Sequence, residues 1–314
     1  LKIDTVKWKL SSYWNKQHKE YWLVSAMISQ KKLEPQDFLS ETIKNFNPKY
    51  IPVAKVHIND KFSDPTVGVL SIQDLHFGKE DNADVKTAFE KAIQELMLRS
   101  YYSHKLEKIV YVIGGDLLNM DTFGGLTTKG TPVDSDQRAQ DAYDTAFESM
   151  FWSVNFIKQF CDTLEVVYLP GNHDRLSSYH LVHALSKCFI KEPNVEFNAT
   201  YSERKVITYG DNFFAFEHGD VTKKLTPLVY ATEFPKQWGT TIYRTCYTGH
   251  FHTKKVTEFV TDNEVHGFAI KHLPSLCKSD YWHYHNKFTG SKRQAIMEIH
   301  DKVKGKISEF TYTA

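Results

Sequence analysis

The sequence predicts an α/β fold: two packed, mixed β-sheets flanked by helices in four layers, preceded by a mainly helical N-terminal extension. Three observations carry this expectation. From Val67 to Cys188 apolar strand patterns alternate with helical ones, the grammar of βαβ units and a mostly parallel sheet. After Asn194 the pattern shortens into strands, so the second half is strand-rich and partly antiparallel. Before the segment DPTVGV, residues 12–47 read as polar-rich helix with Trp14, Tyr21, Trp22, Leu23, Met27, Phe38, Ile43 and Phe46 as core candidates. The expected boundaries are 1–60 for the extension and 61–314 for the main domain.

The elements follow in order. A strand at 67–72 leads to a helix over about 83–102. A second strand, KIVYVIGG, passes through a Gly-rich loop to a long helix over about 135–160. The third strand, 165–169, stops abruptly in Pro-Gly and is followed by a short helix at 179–188. Five strands are then expected at 205–209, 213–217, 241–247, 255–259 and 265–270. Two more, at 294–300 and 306–312, close the chain.

Composition narrows the class. The chain has 314 residues, more than one small core needs, with 41% hydrophobic and 25% charged residues, as in a soluble globular protein. It contains no run of eighteen apolar residues, so no membrane span is expected, and its first residues show no signal-peptide pattern. Cys161, Cys188, Cys246 and Cys277 are widely spaced and form no CxxC pair, which disfavours a zinc knuckle or a disulfide framework and suits a reducing, cytoplasmic compartment. Formal net charge is +1, yet residues 1–55 carry ten Lys against five acids, and residues 271–314 carry eight Lys or Arg against four. A basic rim around an acidic centre fits a polyanion held over a cation site, or is ordinary surface charge.

The chemistry lies at the strand ends, where open α/β sheets bind ligands. SIQDLHFG offers Asp74 and His76; VIGGDLLNMD offers Asp116; YLPGNHD offers Asn172, His173 and Asp174. FAFEHGD adds His218, and CYTGHFH adds His250 and His252. A single such cluster is an ordinary turn. Five in chain order, each after an apolar strand, point to a metal centre. Carboxylates, an amide oxygen and several imidazoles without a thiolate suit Mn²⁺, Fe²⁺ or Zn²⁺ rather than a Ca²⁺ cage. Seven ligands are too many for one ion and suit two, roughly 3.5 Å apart, bridged by a carboxylate.

At DLH, GGD, GNHD, His218 and GHFH the chain resembles the calcineurin-like metallophosphoesterase family, over about residues 66–270. The resemblance implies a binuclear-metal-dependent phosphoesterase. Asp74, His76 and His252 would hold one ion, Asn172, His218 and His250 the other, and Asp116 would bridge them. His173 would be the non-ligand catalytic histidine, with Asp174 as its orienting partner. Two divalent ions are implied as cofactors, Mn²⁺ first, with Fe²⁺, Zn²⁺ or Ni²⁺ as alternatives. They would activate a shared water, while His173 acts as acid or stabilises the transition state.

The substrate is less legible. Nucleic acid is the expected substrate, with DNA exo- and endonucleases as the nearest analogy, and the chain is similar to enzymes found in phage genomes near DNA-processing genes. Lys129 and Arg138 in the loop DTFGGLTTKGTPVDSDQR, Arg175 after GNHD, and Lys223 and Lys224 after His218 are the substrate-binding candidates. The stretch 279–294 interleaves four aromatics with Lys287, Lys292 and Arg293, a composition single-strand binders use. The alternatives are a cyclic-nucleotide phosphodiesterase or nucleotide phosphatase, and an inactive scaffold, which would need a broken ligand where none is broken. Related nucleases commonly homodimerise, though no segment here declares an interface.

Overall fold

The computed structural model describes residues 3–14, 20–30, 64–221, 226–250, 262–265, 267–278 and 293–314; the chain divides into two units, 1–47 and 48–314. In the first unit, β1 (Ile3–Trp14) pairs antiparallel with β2 (Glu20–Gln30), with Trp8 opposite Ala26 and Trp14 opposite Glu20. This corrects the helical expectation as far as Gln30. The sequence explains why: Val6, Trp8 and Leu10 alternate with Lys7 and Lys9 at the period of a strand, and the Tyr21–Val24 run is aromatic and β-branched. A short apolar run cannot be told from a helix by periodicity alone. Residues 31–63, with the remainder of the expected helix, lie outside the described residues.

The second unit contains two mixed sheets. In the first, β3 (Pro65–Ser71), β4 (Lys105–Gly114), β5 (Thr163–Leu169) and β6 (Val195–Asn198) run parallel. β12 (Gln294–Asp301) and β13 (Gly305–Thr313) add antiparallel on the β3 side, giving the order β13-β12-β3-β4-β5-β6. The second sheet has the order β10-β11-β9-β8-β7. Its members are β7 (Lys205–Tyr209), β8 (Asn212–Glu217), β9 (Tyr243–Thr248), β10 (Asp262–Val265) and β11 (Phe268–His272).

The period-two alternation of the strands decides what lies between the layers. Val67, Val69, Val110, Val112, Val167 and Leu169 of the first sheet meet Ile207, Tyr209, Phe214, Phe216 and Tyr247 of the second, all buried. Fully burying one such aliphatic side chain contributes about 1.5–3 kcal/mol. Residues of opposite parity turn outward onto helices. Met297 meets Ser100 of α1 (Val85–Ser103), Tyr111 bonds Ser153 of α2 (Ala139–Ile157) at 2.9 Å, and Tyr168 meets Ser178 of α3 (Arg175–Cys188). On the far side, Phe213, Ala215, Cys246 and Phe268 pack against Tyr230 of α4 (Thr226–Glu233) and Trp238 of α5 (Pro235–Gly239). The result is a four-layer α/β/β/α arrangement.

Two expectations need correction. The strand expected at 265–270 is a hairpin of β10 and β11, turned at Gly267 with φ +73°. β6, α4 and α5 have no counterpart in the sequence reading. The strand expected at 255–259 lies outside the described residues. Among the described residues, no helix is long and apolar enough to cross a membrane.

Candidate metal centre

Five chain segments converge just beyond the carboxyl ends of β3, β4, β5, β8 and β9. Backbone bonds hold three of them together before any side chain is considered. Asp74 N donates to Gly115 O at 2.7 Å, His76 N to Asp116 O at 3.1 Å, and Gly115 N to Leu169 O at 2.8 Å. The turns are tight. Among the described residues, the non-glycine positions with positive φ are Asp74, His76, Asp81, Asp116 and His250, so four of the five are candidate ligands. A left-handed conformation costs roughly 1–2 kcal/mol at such a residue and persists only where the surroundings over-determine it.

Two glycines make the close approach feasible. A Cβ on Gly171 would collide with the backbone nitrogen and Oδ1 of Asp116, and one on Gly249 would press into the Asp74 carboxylate. This is the physical content of the glycine in GNHD and GHFH: each lets one ligand loop pass directly over another.

Asp116 is the hub. Its Oδ1 accepts from His173 N at 2.8 Å, and its Oδ2 lies 3.1 Å from His218 Nε2 and 4.0 Å from His173 Nε2. Two groups of potential ligand atoms, each mutually within 4.8 Å, share it: His76, Asp116 and His173, and Asp116, His218 and His250. Asn172 Oδ1 lies 3.0 Å from His218 Nε2, and Asp74 Oδ2 accepts from His250 N at 2.9 Å. The rings pair edge to face, His76 with His173 at 4.8 Å and His218 with His250 at 5.1 Å.

The electrostatics follow from crowding charge in a buried space. Burial is the largest influence on Asp74 and, with the nearby Asp116 charge, raises its carboxyl to about 7. Burial alone would raise Asp116 too, but the His218 imidazolium, with His76 and His173 behind it, drives it far below the usual carboxylate range. His218 rises in turn to about 9, burial being outweighed by Asp116. Burial and then the Asp116 charge push Asp174 well above the ordinary carboxyl value.

The donor set fits divalent ions. It offers buried imidazole nitrogens and carboxylate oxygens without a thiolate, and one carboxylate is common to both groups. His218 turns Nε2 toward Asp116 Oδ2 and Asn172 Oδ1, so that nitrogen is the one placed to meet a cation. The two triads give the site capacity for two metal ions.

His173 and Asp174 are held differently from one another. His173 Nδ1 lies 2.9 Å from Asn119 O, so the ring donates there and turns Nε2 toward Asp116. The tautomer is fixed by that partner. Asp174 Oδ2 accepts from Leu118 N at 2.7 Å, so its carboxylate braces the turn that carries Asn119. Sequence reasoning missed Asn119 because a backbone carbonyl leaves no side-chain signature.

The other candidates scatter. Arg175 lies beside the centre but is paired with Glu203 and lies 3.8 Å from Asp220. Lys129 is exposed in the turn between the bridged Leu126 and Pro132. Arg138 is mostly exposed and bound to Asp141 at 2.6 and 2.7 Å. His252, Lys223, Lys224 and residues 279–292 lie outside the described residues. The loop 121–138 does something the sequence did not announce. Asp121 accepts from Leu176 N and from Ser177 N and Oγ, and Thr128 Oγ1 accepts from Arg175 N at 3.0 Å. The loop thus caps α3 and anchors the GNHD turn.

No family model matches the chain, and no curated protein matches it. One of the solved structures to which it is similar is Vps29 of Chaetomium thermophilum. That likeness has 12% identity and a TM-score of 0.35, covering 80% of this chain and 98% of that one. It is too loose to assign a function.

Proposed function

We propose that this protein is a phosphoesterase that uses two divalent ions, Mn²⁺ in our assignment, to hydrolyse phosphodiester bonds, with nucleic acid as its substrate. The observation that carries the proposal is the carboxylate of Asp116, shared by two histidine-bearing ligand groups at the carboxyl ends of the central strands. When bound, two such ions supply Lewis acidity and lower the pKa of water. The chain's own residues orient and exchange protons. With Nδ1 committed to Asn119 O, the His173 ring presents Nε2 to the centre, where an imidazolium stabilises a developing oxyanion or protonates a leaving oxygen. Asp174 keeps that geometry through Leu118 N.

The preference for nucleic acid rests on the basic ends of the sequence and on the aromatic and basic stretch 279–294. Arg138 no longer supports it, since Asp141 already neutralises that guanidinium. The test is Mn²⁺-dependent hydrolysis by wild type and His173→Ala. Labelled single- and double-stranded DNA would be compared with cyclic nucleotides and mononucleotides. DNA cleavage that the variant loses supports the reading. Inert DNA beside rapid turnover of one small nucleotide replaces it with a nucleotide phosphodiesterase or phosphatase.

A further inference from the structure

Beside the metal centre lies a cavity of about 430 Å³, walled by His218 and Asp220 beyond β8, Arg175 at the start of α3, Glu203 and Arg204 before β7, and α4. His218 belongs to both places: its Nε2 is 3.1 Å from Asp116, and its residue lines the cavity. A group seated there abuts the reacting centre. We propose that this cavity holds a single nucleoside of the substrate, so that the enzyme works on the terminal residue of a strand rather than on internal bonds. The inference rests on the phosphoesterase reading and specifies its substrate.

Size and the charges of the described lining residues both point to a neutral, hydrogen-bonding occupant. The volume falls in the roughly 300–1,000 Å³ range of small-molecule sites. The arginines are already compensated. Arg175 is forked onto Glu203, with one bond at 3.1 Å, and Arg204 is forked onto Glu233 at 2.6 and 2.8 Å. A second phosphate would have to displace a carboxylate from each of them. It would also sit against Asp220 and Glu217, two more acids on the wall. Sugar hydroxyls and base edges make no such demand: they accept from guanidinium N–H and donate to carboxylate oxygen. Half-buried Val229 on α4 adds an apolar surface for a ring to lie on. A strand threaded through this cavity would carry its next phosphate into an acidic wall.

The test has a binding arm and a kinetic arm, both on the full chain. Thymidine and 2′-deoxyadenosine are titrated while the valine methyl signals are followed by NMR. In parallel, kcat/KM is measured with Mn²⁺ for thymidine 5′-(4-nitrophenyl) phosphate and for methyl 4-nitrophenyl phosphate, which lacks the nucleoside. Nucleoside titration is expected to shift the Val229 methyls. The wild-type preference for the thymidine ester is expected to fall about tenfold in Val229→Trp, which fills the cavity, and in Arg204→Met, which removes donors without filling it. No methyl shift, or a preference that both variants keep, overturns the proposal. If neither ester is hydrolysed yet nucleosides still shift Val229, the cavity assignment stands and the phosphoesterase reading falls. If both esters are cleaved equally well by wild type, the reverse holds.

Discussion

Asp116 is the residue on which both ligand groups depend. One of its oxygens fixes the GNHD turn through His173 N, and the other faces His218. Asp116→Asn keeps the shape but removes the charge that the surrounding imidazoles and any cation require. We expect its bound metal to fall below the wild-type content and phosphodiester turnover to drop at least about 100-fold. Metal content near that of wild type, measured by plasma mass spectrometry, would remove Asp116 from the bridging role. His173 gives a sharper distinction. Its Nε2 is close enough to His76 and Asp116 to be a ligand, yet its other nitrogen is anchored as a proton-handling imidazole would be. We expect His173→Ala to lower turnover by about 10²–10⁴ while metal content stays at the wild-type level. Loss of an ion would make His173 a ligand instead.

At the scale of elements, the centre depends on how one helix begins. The carboxylate of Asp174, just before α3, bonds Leu118 N and not the first turn of the helix. Asp121 and Thr128, reaching over from a distant loop, satisfy those amide groups. Asp121→Ala leaves the Leu176 and Ser177 amides to water and is expected to cost about 1 kcal/mol of unfolding free energy, read from urea denaturation. An unchanged midpoint would show that the cap contributes nothing. This arrangement also marks what the sequence could reveal. Asp74, His76, Asp116, Asn172, His173, His218 and His250 were legible because each follows an apolar strand and sits by a turn. Asp121 was not, since the helix amides it caps, Leu176 N and Ser177 N, are more than fifty positions away and leave no side-chain signature. The β1–β2 hairpin was hidden in an apolar run that suits helix or strand, and the β10–β11 turn at Gly267 was hidden between Val265 and Phe268.

Across the whole second unit, the two sheets are joined by more than apolar packing. Glu298 of β12 is buried and accepts from Tyr247 Oη of β9 at 2.5 Å, from Lys306 Nζ at 3.0 Å and from Lys271 Nζ of β11. Burial alone would raise its carboxyl, but His300 and the Lys271 ammonium hold it far below its ordinary 4.5. A carboxyl lowered by folding adds stability that is fully present above 4.5 and is lost as the pH falls through the folded value. Urea midpoints should therefore decline on acidification below about pH 4.5, and Glu298→Gln should flatten that decline while costing about 3 kcal/mol at neutral pH. An equally steep acid limb in the variant would place the dependence elsewhere. Anomalous diffraction at the manganese edge from Mn²⁺-soaked crystals would read the two proposed ions themselves. Two peaks roughly 3.5–4 Å apart, with the Asp116 carboxylate between them, are expected. A single peak, or peaks that leave Asp116 uncoordinated, would overturn the two-ion proposal.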